Sequence, residues 1–132
     1  MKPSFKRRVW LRANGVCEYC RMPSEFYLAP YQIDHIIAEQ HGGKTTLTNT
    51  ALACYHCNLH KGPNIAGRDS TSGRTTRLFH PRNDRWTDHF RWQGTKLIGR
   101  TAIGRTTIHV LDMNHPAYVL VRQALMDAGL FG

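Results

Sequence analysis

Acidic side chains are scarce in this chain: nine Asp and Glu stand against eighteen Lys and Arg in 132 residues, a formal charge of +9. Long apolar runs are absent too. No stretch approaches the ~20 apolar residues of a membrane span, which excludes a spanning helix. The basic start Met1–Arg8 is followed by no apolar run before Arg12, so the sequence carries no secretory signal and a cytoplasmic setting is expected. There is no internal repeat and no low-complexity segment. An apolar fraction of 41% supports a modest core, as suits one compact domain of this length. The basic excess attracts polyanions by counterion release and field steering. Ribosomal and membrane-surface proteins share that property, so charge alone does not name the partner.

Cysteine is sparse as well, but its four copies are organised. Cys17-Glu18-Tyr19-Cys20 and Cys54-Tyr55-His56-Cys57 form two Cys-x-x-Cys pairs. Each pair places two thiolates on one tight turn, and two such turns complete the tetrahedral shell that structural Zn²⁺ prefers. Two disulfides would require an oxidising compartment. A thioredoxin-like redox pair would stand alone, without a partner pair 34 residues downstream. A closed Zn²⁺ site that supplies part of the folding energy is the reading adopted here.

The rest of the chain divides around those pairs. Residues 1–14 read as a basic amphipathic helix ended by Asn14-Gly15. Ser24-Glu25 can start a brief helix. Tyr31–Ile36 reads as a strand, Glu39–Asn49 as a loop with Gly42-Gly43, and Ala51–Ala53 as a second strand. The second cysteine pair opens a helix carrying Asn58, His60 and Lys61, ended by Gly62-Pro63. Residues 63–85 read as an exposed basic arm. Phe90–Gly99 reads as a β-hairpin, Thr101–Leu111 as a helix, and Asn114–Gly129 as another with Val119, Leu120, Ala124 and Leu125 on its apolar face. The expected fold class is α+β: a ββα core with its basic helix over 1–62, the arm over 63–85, and a hairpin with helices over 86–132, all in one compact domain.

The order Cys17-x-x-Cys20, Ile33-Asp34-His35-Ile36, Gly42-Gly43, Asn49, Leu52, Cys54-x-x-Cys57-Asn58 and Lys61 resembles the HNH endonuclease family, over roughly residues 8 to 62. The resemblance implies a ββα-metal fold and metal-dependent cleavage of nucleic acid, most simply DNA. It implies that Asp34 and a residue on the helix share one Mg²⁺ or Mn²⁺, and that Asn49 holds the loop and orients the base. His35 is the expected general base, because imidazole accepts a proton at neutral pH.

The family's last histidine position holds Asn58 here, whose amide oxygen suits a hard cation. His60 is the alternative ligand, about 200° further around a regular helix. His56 lies two residues on the other side. Lys61, on the Asn58 face, is expected to contact phosphate. Arg68, Arg74 and Arg77 in the arm are plausible phosphate contacts. Glu39 and His41 could line the cleft, and His80 and His89 are either folded beside it or structural. The alternative function is a zinc-stapled nucleic-acid-binding module with weak or silent catalysis.

Overall fold

The computed structural model describes residues 1–131. Helix α1 (Pro3–Ala13) begins with proline in its first turn and stops where Asn14 and Gly15 both take the left-handed conformation. Val9 is buried, while Lys6, Arg7 and Arg8 face solvent. Arg12 ties the helix to the core by donating to the carbonyls of Leu47 and Thr50, both at 2.7 Å.

Strands β1 (Gln32–His35) and β2 (Thr50–Ala53) pair antiparallel, with Asp34 opposite Ala51 and His35 opposite Thr50. Helix α2 (Tyr55–Lys61) packs on both strands. The intervening loop holds two short 3₁₀ turns, at Glu39–His41 and Leu47–Asn49. The expected ββα unit is therefore present, and its strands and helix begin within about two residues of the sequence reading.

Residues 63–85 differ from expectation in part: most of residues 63–77 are exposed, as foreseen, but the segment carries regular structure. Strands β3 (Ala66–Arg68) and β4 (Thr75–Arg77) form an antiparallel hairpin, and Leu78 and Phe79 beyond it are buried. The cause is tertiary. Fully buried Asp69 takes two charge-assisted bonds from Arg105, each 3.0 Å, and caps its own turn through Ser72. Gly67 lies so close to Val110 that a Cβ there would sit 2.5 Å from its side chain.

The short helix α3 (Trp86–His89), which the sequence reading did not foresee, leads into the expected hairpin β5 (Phe90–Gln93) and β6 (Lys96–Gly99). Helices α4 (Ala102–Val110) and α5 (Pro116–Asp127) follow. The apolar face expected for α5 is corrected: Leu120 is 72% exposed, and the buried stripe is Tyr118, Arg122 and Leu125. Burying an arginine requires partners for its fork. Arg122 donates to the carbonyls of Thr95 and Met113 and to the Asn114 side chain, beneath Trp92 and Tyr118. Apolar patterning could not find a stripe built on a charged residue.

Gly104 gives a test of this packing. In an open helix, Gly→Ala gains up to about 1 kcal/mol. Here a Cβ would stand 2.0 Å from the His89 carbonyl oxygen. Gly104→Ala is expected to lower stability, by about 1–3 kcal/mol or more, since the obstacle is backbone. Urea unfolding reads the sign, and a stabilised variant would refute the close approach.

Candidate functional site

Four sulfurs organise the core. Cys17, Cys20, Cys54 and Cys57 are fully buried and all free, with their Sγ atoms within 4.8 Å of one another. The Cys20–Cys54 separation is 3.8 Å. A disulfide would need about 2.05 Å, whereas a tetrahedron of ~2.3 Å Zn–S bonds has edges near 3.8 Å. Donor chemistry and spacing fit a structural zinc ion. Each pair also has the local geometry of a metal turn. The Cys20 amide faces Cys17 Sγ at 3.5 Å and the Cys57 amide faces Cys54 Sγ at 3.3 Å, with Arg21 left-handed after the first pair. Hydrogen bonds from the other three cysteines, and also from Tyr118, pull the Cys54 thiol down, while burial pushes Cys20 and Cys57 up. A divalent cation relieves that opposition by favouring thiolate throughout.

The first cysteine turn does more than hold a metal. Glu18 joins the edge of β2 through two bonds to Leu52, each 2.8 Å, and pairs with Arg82. Tyr19 donates its hydroxyl to Asp34 Oδ2 at 2.7 Å. Burial is the largest influence keeping that phenol protonated, and the Asp34 charge adds to it. Trp86 in turn donates to the Tyr19 carbonyl at 2.8 Å. On the other side Tyr118 donates to Cys54 Sγ at 2.7 Å and stacks on His56. Tyr19 and Tyr118 escaped the sequence reading because nothing local distinguishes them from ordinary core aromatics.

Asp34, His35 and Asn58 line one cavity of about 300 Å³, together with Ile33, Ala38, Glu39, Gly62 and Pro63. The strand contributes the first two, and the first turn of α2 after Cys57 contributes the third. His60 is elsewhere. Its ring stacks on His56 at 4.2 Å and faces away toward Asp112. The near-opposite placement follows from the helical angle between positions 58 and 60. His41, His80 and His89 do not line the cavity either. His80 Nδ1 accepts from the Arg82 and Asn83 amides, and His89 bonds Thr101 at 2.7 Å, so both are structural.

The His35 ring is set by Thr45, whose hydroxyl lies 2.8 Å from Nε2, and Glu39 Oε1 lies 3.5 Å from the same nitrogen. The expectation that Asn49 fixes this ring is corrected. Asn49 accepts from the Ile37 amide and donates to the carbonyls of Ile37 and Lys44, at 2.9, 3.0 and 2.9 Å. It closes the loop that carries Thr45. Gly43 is required there, because a Cβ would fall 1.7 Å from the Ile37 oxygen.

Lys61 also departs from expectation. It is 1% exposed and cannot reach a phosphate as it stands. Its ammonium lies 3.2 and 3.1 Å from the two Asp34 oxygens and 3.1 Å from the His35 carbonyl oxygen. Burial pushes the Asp34 carboxyl up, and Lys61 and Tyr19 pull it back toward the ionised form. Lys61→Met is expected to cost roughly 3–5 kcal/mol by stranding a buried carboxylate. Denaturant unfolding measures it, and a loss below 1 kcal/mol would show the pair to be dispensable.

Among the arginines, Arg68 and Arg74 are exposed, Arg68 donating to the Gly73 carbonyl. Arg77 is exposed but already forked onto Asp84 at 2.7 and 2.9 Å, so a phosphate must compete for it.

Among the described residues no helix is long and apolar enough to cross a membrane. Comparison with known families matches residues 17–64 to the model described as HNH endonuclease. That segment contains both cysteine pairs, Asp34, His35, Asn49, Asn58 and Lys61, and the match points to a nuclease that binds nucleic acid. Neither the curated proteins nor the solved structures give a significant match.

Proposed function

With residues 17–64 matching the HNH endonuclease family, we propose that the protein is a metal-dependent endonuclease that hydrolyses phosphodiester bonds of DNA. The observation that carries this reading is the shared cavity: a carboxylate, an imidazole and a side-chain amide converge beside a helix terminus. A basic scaffold that only binds has no need of that trio.

In this reading Asp34 and Asn58 are the protein's ligands for one hard divalent cation, Mg²⁺ or Mn²⁺. When bound, such an ion supplies Lewis-acid stabilisation of the phosphate and the departing oxygen. His35 is the general base that takes the proton of the attacking water. Thr45 aims the ring, and Glu39 stabilises the imidazolium that results. Asn49 preserves that aim by holding the loop. Tyr19 and Lys61 keep Asp34 oriented and ionised. The exposed cations of α1, with Arg68 and Arg74, supply backbone contacts that carry no base information.

One observation favours the second reading, a binding module with silent catalysis. Both Asp34 oxygens already have protein partners, so an entering cation competes with the Lys61 ammonium. Supercoiled plasmid incubated with the protein separates the two. Cleavage that needs Mg²⁺ or Mn²⁺ and stops with EDTA supports the nuclease. Retained binding without cleavage under any divalent ion supports the module.

A further inference from the structure

The outward face of α2 carries a second constellation that the nuclease reading leaves unused. His56 and His60 stand four residues apart, on one helical face, with ring centroids 4.2 Å apart. The turn between α4 and α5 brings Asp112 to them, its Oδ2 4.0 Å from His60 Nε2. One donor atom from each of the three residues lies within 4.8 Å of the others. His115, at the start of α5, has its ring 5.9 Å from that of His56.

The hydrogen bonds prepare these rings as ligands. His60 Nδ1 lies 2.9 Å from the His56 carbonyl oxygen. A carbonyl only accepts, so Nδ1 carries a proton, and Nε2 is the ring atom left to serve as a ligand, facing the Asp112 carboxylate. Orientation of a ligand ring by a backbone carbonyl is the usual outer support of a histidine metal site. His56 is fixed in the same manner by its Nε2, which donates to the Asp112 carbonyl at 2.7 Å, and by stacking on Tyr118. Asp112 holds a left-handed φ of 48°, uncommon for a residue with a side chain, and this bend turns its carboxylate toward α2.

A cation of ordinary ligand bond length, about 2.0–2.2 Å, draws the donors inward by roughly 1 Å, within reach of side-chain rotation.

We infer that His56, His60 and Asp112 form a second metal site, open to solvent, for a borderline divalent transition ion such as Zn²⁺, Ni²⁺ or Co²⁺. Two imidazoles and a carboxylate suit that class, whereas the all-oxygen preference of Mg²⁺ does not. An ion there joins α2, whose opposite side presents Asn58 to the cavity, to the α4–α5 turn. It would staple the C-terminal helices to the core, beside the Tyr118–Cys54 contact.

The test uses intact protein holding one zinc per chain, titrated calorimetrically with Ni²⁺. The unaltered chain is expected to take one further equivalent. His60→Ala and Asp112→Asn should each weaken that uptake at least about tenfold, a loss typical even of an outer-sphere partner. His41→Ala, an exposed histidine away from the cluster, should leave it unchanged. Both substituted side chains are partly exposed, at 36% and 46%, and asparagine tolerates the left-handed φ of position 112. Absence of a second equivalent, or equal uptake by the variants, overturns the site. Paramagnetic Ni²⁺ added to the unaltered protein gives an independent readout. The ring signals of His56 and His60 should broaden before that of His35, and the reverse order overturns the assignment. Neither measurement depends on DNA cleavage, so the site and the nuclease reading stand or fall separately.

Discussion

Stripping the metal from the four cysteines, by a strong chelator or by Cys57→Ala, is expected to unfold the protein rather than merely soften it. Structural zinc in a four-ligand site contributes about 10–16 kcal/mol of apparent binding energy at neutral pH. A whole domain of this size has only about 5–15 kcal/mol of net stability. The four sulfurs belong to the buried core. Tyr19 leaves the first pair for Asp34, and Tyr118 reaches back from α5 to Cys54. Without a cation, burial favours neutral thiols at Cys20 and Cys57, and the close approach of the four groups loses its cause. Far-ultraviolet circular dichroism, thermal melting and zinc content measured together check this. A metal-free chain with an unchanged melting temperature would remove the clamp from the account.

His35→Ala should reduce the rate of plasmid cleavage by about 10²–10⁴-fold, the usual contribution of a positioned general base. Binding to the same DNA should change little, because the ring is held by Thr45 and Glu39 inside the cavity and is only partly exposed. The fold should also survive, since the hydrogen bond that the His35 carbonyl accepts from Lys61 involves backbone and remains after substitution. The contrast with Lys61→Met is informative. That variant should lose stability first and activity as a consequence, whereas His35→Ala should lose activity alone. Equal cleavage by His35→Ala and the unaltered protein would assign the reaction to another group or to a contaminant.

The ββα unit was legible because its signals are local. Alternation marked β1, the paired cysteines marked the two turns, and Gly62-Pro63 marked the end of α2. The placement of Asn58 and His60 on different sides of α2 followed from helix angle alone. The hairpin of β3 and β4 was not legible. Its arginines, serines and glycines resemble a solvated loop until Arg105, 36 residues beyond Asp69, supplies the counter-charge. The buried face of α5 was misread for the same reason, since Arg122 is buried only because distant carbonyls and Trp92 receive it.

The cavity was anticipated in its membership but not in its supports. Thr45 was an anonymous loop threonine, and Asn49 holds the loop through backbone bonds, as expected, but does not touch the His35 ring. Lys61 was taken for a phosphate contact because it shares the Asn58 face of the helix. Its partner Asp34 is 27 residues earlier in the chain.

Residue types, spacings and helical angle alone determined the two cysteine turns, the strand bearing Asp34 and His35, and the helix face bearing Asn58, because each depends on neighbours within a few positions. Tertiary structure alone decided which charges are spent and which are free: Lys61 on Asp34, Arg105 on Asp69, Arg77 on Asp84, with Asp112 brought to His56 and His60. Coulombic and hydrogen-bond partners are selected by distance in space and by the exclusion of water, and sequence separation specifies neither.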